Sequence, residues 1–295
     1  MRPEDYTPAR LEALRGSVLA GRWHPRPLIR RIIGGERPRE VGIPTLDDQV
    51  VSGALRMLLD PALDPRLHEH VWGFRPGRDR HGAIRALCGV AYTGALVRAD
   101  VRRMFESLEH GRLRNAIRAC WPDPLALQVV DRMLGAWQAG VGVPTGVSIS
   151  PVLSNAYFHV CLDGWLAGGP TEEARPGVHA GRWADVGRGL VVREAFGGLF
   201  GGALGGPRGR APPRSAPFTA AMRYADDFAL LGSGDGRATL AALDSAAGRC
   251  GLSLHPDKTS IHRVERRSDW PVTVLGYELV PRRVRGGWML TPLGA

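Results

Sequence analysis

Two adjacent carboxylates, Asp226 and Asp227, stand between the short apolar runs 220–224 and 228–231. Strand, tight acidic turn, strand is the pattern, with Ala225-Asp226-Asp227 at the tip of a hairpin. Carboxylates fixed side by side repel one another unless a cation lies between or beside them. Hard oxygen donors suit magnesium, with manganese as the alternative, although a solvated acidic turn has the same sequence. A third carboxylate, Asp100, closes the apolar run 95–99 and reads as the carboxyl end of a strand; an ordinary helix N-cap is the competing reading. A strand-terminal Asp combined with an Asp pair on a hairpin is a way to assemble a two-metal site for phosphoryl transfer. The fourth residue is Lys258, the single lysine among 39 basic residues. Arginine stays charged, whereas a lysine pKa can be tuned so that the ammonium donates a proton. A chain that uses arginine almost everywhere and keeps one lysine points to proton chemistry there, with chance retention as the bland alternative.

The net charge of +10, spread along 295 residues, favours a polyanionic partner through counterion release and electrostatic steering. The 44% hydrophobic content supports a sizeable core, as one large domain with subdomains or as two domains. Cys88, Cys120, Cys161 and Cys250 lack zinc spacing and fit buried thiols in a reducing compartment. The first 30 residues are rich in Arg and Pro and do not read as a secretory leader. The stretch 196–206 is half glycine and too short to span a bilayer. A cytoplasmic protein without a membrane partner is the expectation.

These side chains need elements to hold them. Residues 49–60 carry a helical stripe (Val50, Val51, Ala54, Leu55, Leu58, Leu59) that should end at Pro61. Residues 79–92 form a second helix with Asp79 as N-cap, and 109–119 and 124–139 form two more. The loop 142–148 leads into Ser150-Pro151, a good helix start, and a long helix through Leu166. Residues 168–217 hold 13 Gly and 6 Pro in 50 positions, which predicts a flexible surface insertion. A helix near 236–251 follows the acidic hairpin. A final strand pair should contain Val274-Leu275-Gly276-Tyr277 and Gly287-Trp288-Met289-Leu290.

In this order the motifs resemble the reverse transcriptases, specifically their bacterial group II intron-like branch, from about Leu14 to Leu290. Gly42-Ile43-Pro44-Thr45 with Asp48-Gln49-Val50-Val51, and Gly73-Phe74-Arg75-Pro76-Gly77-Arg78, are similar to the first two fingers motifs. Asp100 to Phe105, Gly142 to Asn155 and Tyr224-Ala225-Asp226-Asp227 resemble successive palm motifs. Lys258-Thr259 and Leu275-Gly276-Tyr277 resemble the last two, the latter being similar to the primer grip.

The resemblance implies an α+β right hand: fingers at 1–92 and 112–146, palm at 93–111, 147–167 and 218–295, and the insertion at 168–217. It implies RNA-directed DNA synthesis from a primer 3′-hydroxyl with two Mg2+ ions held by Asp100, Asp226, Asp227 and the Val101 carbonyl. Lys258 would protonate the departing pyrophosphate. Phe105 would sit under the sugar and exclude a 2′-hydroxyl, although a core aromatic is its alternative. Arg37 would pair with the triphosphate, and Arg75, Thr145 and Gly146 would border the nucleotide. Expected partners are an RNA template, a DNA or RNA primer, dNTPs and a structured cognate RNA. Thr145 stands where the branch usually has Gln, Val147 where it has Gly, and Glu106 where it has Asp. Only 18 residues follow Tyr277, so the thumb is expected to be missing or supplied by another chain. A homologue that binds RNA without catalysis, and an RNA-dependent RNA polymerase, are the competing readings; Phe105 weighs against the last.

Overall fold

The computed structural model describes residues 7–34, 38–137, 140–166 and 218–293. Its centre is β3 (Ala95–Asp100), the strand ending in Asp100. This strand lies inside a four-stranded antiparallel sheet of order β4-β5-β3-β6, with β4 at Phe218–Tyr224, β5 at Asp227–Gly232 and β6 at Ser260–Arg263. Alternate residues of a strand face opposite sides, and here both sides are covered. Val97, Ala99, Phe228 and Leu230 join one core, whereas Leu96, Ala229, Leu231 and Met222 join a second. That is why 95–97 and 228–231 read as continuous apolar runs rather than alternating ones.

Helices build the first core: α2 (Leu46–Leu63), α5 (His110–Cys120), α6 (Pro124–Trp137) and α7 (Ser150–Phe158). Every α7 residue except Pro151 is buried, and the helix runs on through a π-helical turn at His159–Asp163 into α8 (Gly164–Leu166). The long helix expected to reach Leu166 is therefore present with one wide turn inside it. The second core lies under α3 (Arg80–Cys88) and a three-stranded sheet of β7 (Val272–Val274), β8 (Tyr277–Val284) and β9 (Gly287–Pro292). The remaining elements are α1 (Pro8–Leu19), the hairpin β1 (Ile29–Ile33) and β2 (Arg39–Ile43), the short α4 (Met104–Ser107) and α9 (Arg237–Arg249). The architecture is mixed α+β, as expected.

Local chemistry explains several boundaries. Thr45 caps α2 by accepting from the Asp48 backbone N–H at 3.3 Å. Asp48, 1% exposed, in turn accepts from the Thr45 hydroxyl at 2.7 Å and from the Arg26 N–H at 3.1 Å. Asp79 caps α3 by accepting from Gly82 N–H at 2.7 Å.

Three expectations need correction. Helix α2 does not stop at Pro61 but continues to Leu63, where packing of Leu59 and Leu63 in the core outweighs the one helical N–H that proline lacks. Helix α3 ends at Cys88 rather than 92, because Gly89 caps it and Tyr92 pairs with Trp288 through two 2.8 Å backbone bonds. Leu275 and Gly276 are not strand residues. They are a two-residue turn between β7 and β8 with φ of 51° and 87°, the left-handed pair that a tight hairpin needs. Of the four free thiols, Cys120 and Cys250 are buried and Cys88 and Cys161 are half-buried. Among the described residues no helix is long and apolar enough to cross a membrane. The 168–217 insertion lies outside the described residues.

Candidate active site

Antiparallel register brings the acidic residues together. Asp100 is the last residue of β3 and pairs with Asp227, the first residue of β5. Tyr224 pairs with Asp227 across the hairpin, so Ala225 and Asp226 form its two-residue turn. Ala225 holds φ +57°, a conformation an L-residue adopts at some cost. Asp226 is tied down on its other side, because its carbonyl accepts from Val101 N–H at 3.0 Å. One carboxylate oxygen from each of Asp100, Asp226 and Asp227 lies within 4.8 Å of the others. The N-cap position of α4 is Arg103, so Asp100 is not a helix cap.

The electrostatics follow from that crowding. Burial, then the neighbouring carboxylates Asp226 and Asp100, push Asp227 up from 3.8 to about 6. Burial and Asp100 also push Asp226 up. Cations offset only part of this. Lys258 donates from Nζ to Asp100 Oδ2 at 2.7 Å, from a short 3-10 turn at Pro256–Lys258. Arg98 Nη2 lies 3.9 Å from Asp227 Oδ1. Three hard oxygen donors with incomplete counter-charge fit a divalent cation, and magnesium suits them.

The surroundings of the carboxylates are equally specific. Val143 N–H donates to the Phe105 carbonyl at 2.7 Å, and the Phe105 ring, half-buried, sits 6.1 Å from that of Phe74. The loop at Thr145 and Gly146 is pinned to β2, since Gly42 N–H donates to the Thr145 carbonyl at 2.8 Å. Gly146, exposed at φ +93°, leaves backbone open there. Leu275 and Gly276 form the β7–β8 turn, and the Tyr277 hydroxyl reaches His81 Nδ1 at 3.4 Å.

Arg37 falls outside the described residues. Arg75 is committed to its own loop: Nε and Nη2 donate to the Asp64 carboxylate and carbonyl, and Nη1 donates to the carbonyls of His68 and Val71. With its side chain 6% exposed, it holds the 64–75 segment rather than facing a nucleotide. Sequence reasoning overlooks Arg39, whose charge on β2 reaches Asp226 and opposes the rise of its pKa. Its only cue in the sequence is its position two residues after Arg37. It also overlooks Arg223, a charge inside the apolar strand β4, and its buried partner Asp163.

No family model matches the chain, but individual proteins do. It is 28% identical over 312 residues to the protein YkfC of Escherichia coli K12, a match covering 95% of the chain and 73% of that protein. It is 27% identical over 169 residues to the group II intron-encoded protein LtrA of Lactococcus lactis, covering 53% of the chain and 28% of LtrA. The chain is homologous to group II intron-encoded proteins. The mitochondrial nuclear intron maturase 1 of Arabidopsis thaliana is a further relative, at 28% over 120 residues, 40% of the chain and 16% of that protein. The likeness to the intron-like reverse transcriptases, read from the motifs, agrees with these homologues. The matches to the intron proteins span under a third of their lengths.

Proposed function

We propose that the chain is the fingers and palm of an RNA-directed DNA polymerase, extending a primer 3′-hydroxyl with deoxynucleotides. The observation that carries this reading is the convergence of Asp100, Asp226 and Asp227 within 4.8 Å, with the sole lysine bonded to Asp100. Such a set has no stabilising role of its own: three buried or half-buried carboxylates repel, and two of them have raised pKa values. Repulsion retained at a turn is strain directed toward a ligand.

Asp100, Asp226 and Asp227, with the Val101 carbonyl, would hold two magnesium ions; Mn2+ would fit the same donors. Bound there, magnesium supplies Lewis acidity to the attacking hydroxyl and charge stabilisation to the departing pyrophosphate. The chain's own residues do the rest. Lys258, ion-paired with Asp100, is the general acid for the leaving group. Arg39, whose charge reaches Asp226, would join Arg37 in pairing with the triphosphate oxygens. Phe105, braced by Phe74, closes the floor beneath the sugar and leaves no room for a 2′-hydroxyl. The open backbone at Thr145 and Gly146 borders the base. The Leu275-Gly276-Tyr277 turn positions the primer strand. The matches to intron-encoded proteins, together with the +10 charge, favour RNA as template and as a structured partner.

The test is primer extension on an RNA template with Mg2+, comparing dNTPs with NTPs, for wild type and Asp226→Ala. Template-length product from dNTPs alone, absent in the variant, is the expected result. Product that survives Asp226→Ala would overturn the catalytic assignment. RNA binding with no product under any metal would favour a non-catalytic RNA-binding protein, and equal use of NTPs would favour an RNA polymerase.

A further inference from the structure

Directly beneath the acidic turn lies a polar cluster that the proposed chemistry does not use. Arg223, on β4 one residue before Tyr224, is completely buried. Its Nε and Nη2 donate to the two oxygens of Asp163, both at 2.7 Å, and Asp163 is also completely buried. A bidentate pair of this kind fixes the plane of the guanidinium as well as its charge. The Phe158 ring lies across it, 4.6 Å from Cζ. The remaining edge points at the hairpin: Nη1 donates to Asn155 Oδ1 at 3.1 Å and to the Ala225 carbonyl at 3.3 Å.

Asn155 extends the link. Its Nδ2 donates to the Gly73 carbonyl at 3.0 Å. Gly73 packs so tightly on the turn that a Cβ there would lie 2.3 Å from Ala225 N. The same strand is held by backbone bonds from Arg223 N–H to the His70 carbonyl and from Trp72 N–H to the Arg223 carbonyl, at 2.7 and 2.8 Å. The residue carrying φ +57° is thus clamped from below by Arg223 and from the side by Gly73. Asn155 joins the two clamps.

We infer that Arg223 and Asn155, anchored by Asp163, are positioning residues that set the metal affinity of the Asp226 turn. The inference rests on the reading of Asp100, Asp226 and Asp227 as a metal site. The device works through backbone geometry rather than through its field. Asp163 neutralises Arg223 at bonding distance, and the cations felt by Asp226 are Lys258 and Arg39. A buried ion pair is a costly way to gain stability and a good way to specify one geometry. The wide π-helical turn at His159–Asp163 ends at Asp163 itself, the residue that meets Arg223.

The test measures Mn2+ binding to the full chain by electron paramagnetic resonance, without nucleotide or primer, so that polymerase activity plays no part. Asn155→Leu removes both amide links without leaving a buried charge unpaired, and Arg223→Lys keeps the charge but loses the fork. Both variants should weaken Mn2+ binding by about tenfold or more, the range seen when residues supporting metal ligands are changed. Combining Asn155→Leu with Arg223→Lys should lower Mn2+ affinity by less than the two single losses together, a coupling that independent general destabilisation would not produce. If Arg223→Lys does not fold, Asn155→Leu carries the test. A folded Asn155→Leu variant binding Mn2+ like wild type, while Asp226→Ala does not bind, overturns the positioning role and leaves the metal site standing. Wild-type binding by Asp226→Ala overturns the metal site and the inference with it.

Discussion

Removing one charge from the acidic turn should stabilise the metal-free protein, and only above a defined pH. Asp227 has its carboxyl pushed from 3.8 to about 6 in the folded chain. The folded state therefore binds the proton more tightly than the unfolded state, and stability falls as pH rises between roughly 4 and 6. That shift corresponds to about 3 kcal/mol. Asp227 keeps 29% of its side chain exposed, so solvent screening lowers the expectation to about 2 kcal/mol. In EDTA at pH 8, Asp227→Asn should melt about 4–8 °C above wild type. At pH 4.5, where only the folded carboxyl is fully protonated, the gap should shrink to about a third, and it should close below about pH 3.5. Saturating Mg2+ at pH 8 should shrink or reverse it, because only wild type gains the full binding energy. Calorimetry or fluorescence melts in the three conditions suffice. A gap of the same size at both pH values would refute the claim that crowded, uncompensated carboxylates define this turn.

Other consequences are independent of that charge. Burial pushes His159 down to about 4, and its Nδ1 lies buried with no partner among the described residues. The unfolded chain therefore binds the proton first, and stability should fall by about 3 kcal/mol as pH drops from 6.5 to 4. His159→Gln should flatten that slope in denaturant titrations, and an unchanged slope would exclude His159 as its source. Gly73→Ala forces a Cβ to 2.3 Å from Ala225 N and 2.9 Å from the Tyr224 carbonyl carbon, both backbone atoms. It should cost about 1–3 kcal/mol in urea unfolding, and a neutral result would mean the turn is looser than described. Phe105→Ala should raise incorporation of a ribonucleotide relative to a deoxynucleotide by about tenfold or more, read from single-nucleotide extension. Unchanged discrimination would return Phe105 to a purely packing role beside Phe74.

The parts legible in the sequence were those written in local pattern. The runs 95–97 and 228–231 are apolar because each strand is covered on both faces, and the acidic turn between two short strands has a signature of its own. Asp100 and Asp227 meet because antiparallel pairing puts them opposite one another, which a strand-terminal Asp and a hairpin foretell together. What the sequence hid depends on long-range partners. Arg75 looks like any exposed loop arginine until Asp64, His68 and Val71 close around it. Arg223 and Asp163 lie 60 residues apart, and each alone reads as a charge at the edge of an apolar segment. Helix α2 passes Pro61 because tertiary packing overrides a local stop signal.

The central claim is that Asp100 and Asp226 together hold divalent cations, and it is most directly tested by anomalous scattering. Crystals of the full chain grown with Mn2+, an RNA template, a primer and a dNTP should show manganese density between the Asp100 and Asp226 carboxylates, against the Val101 carbonyl. Nucleotide bound without manganese at those carboxylates would contradict the account.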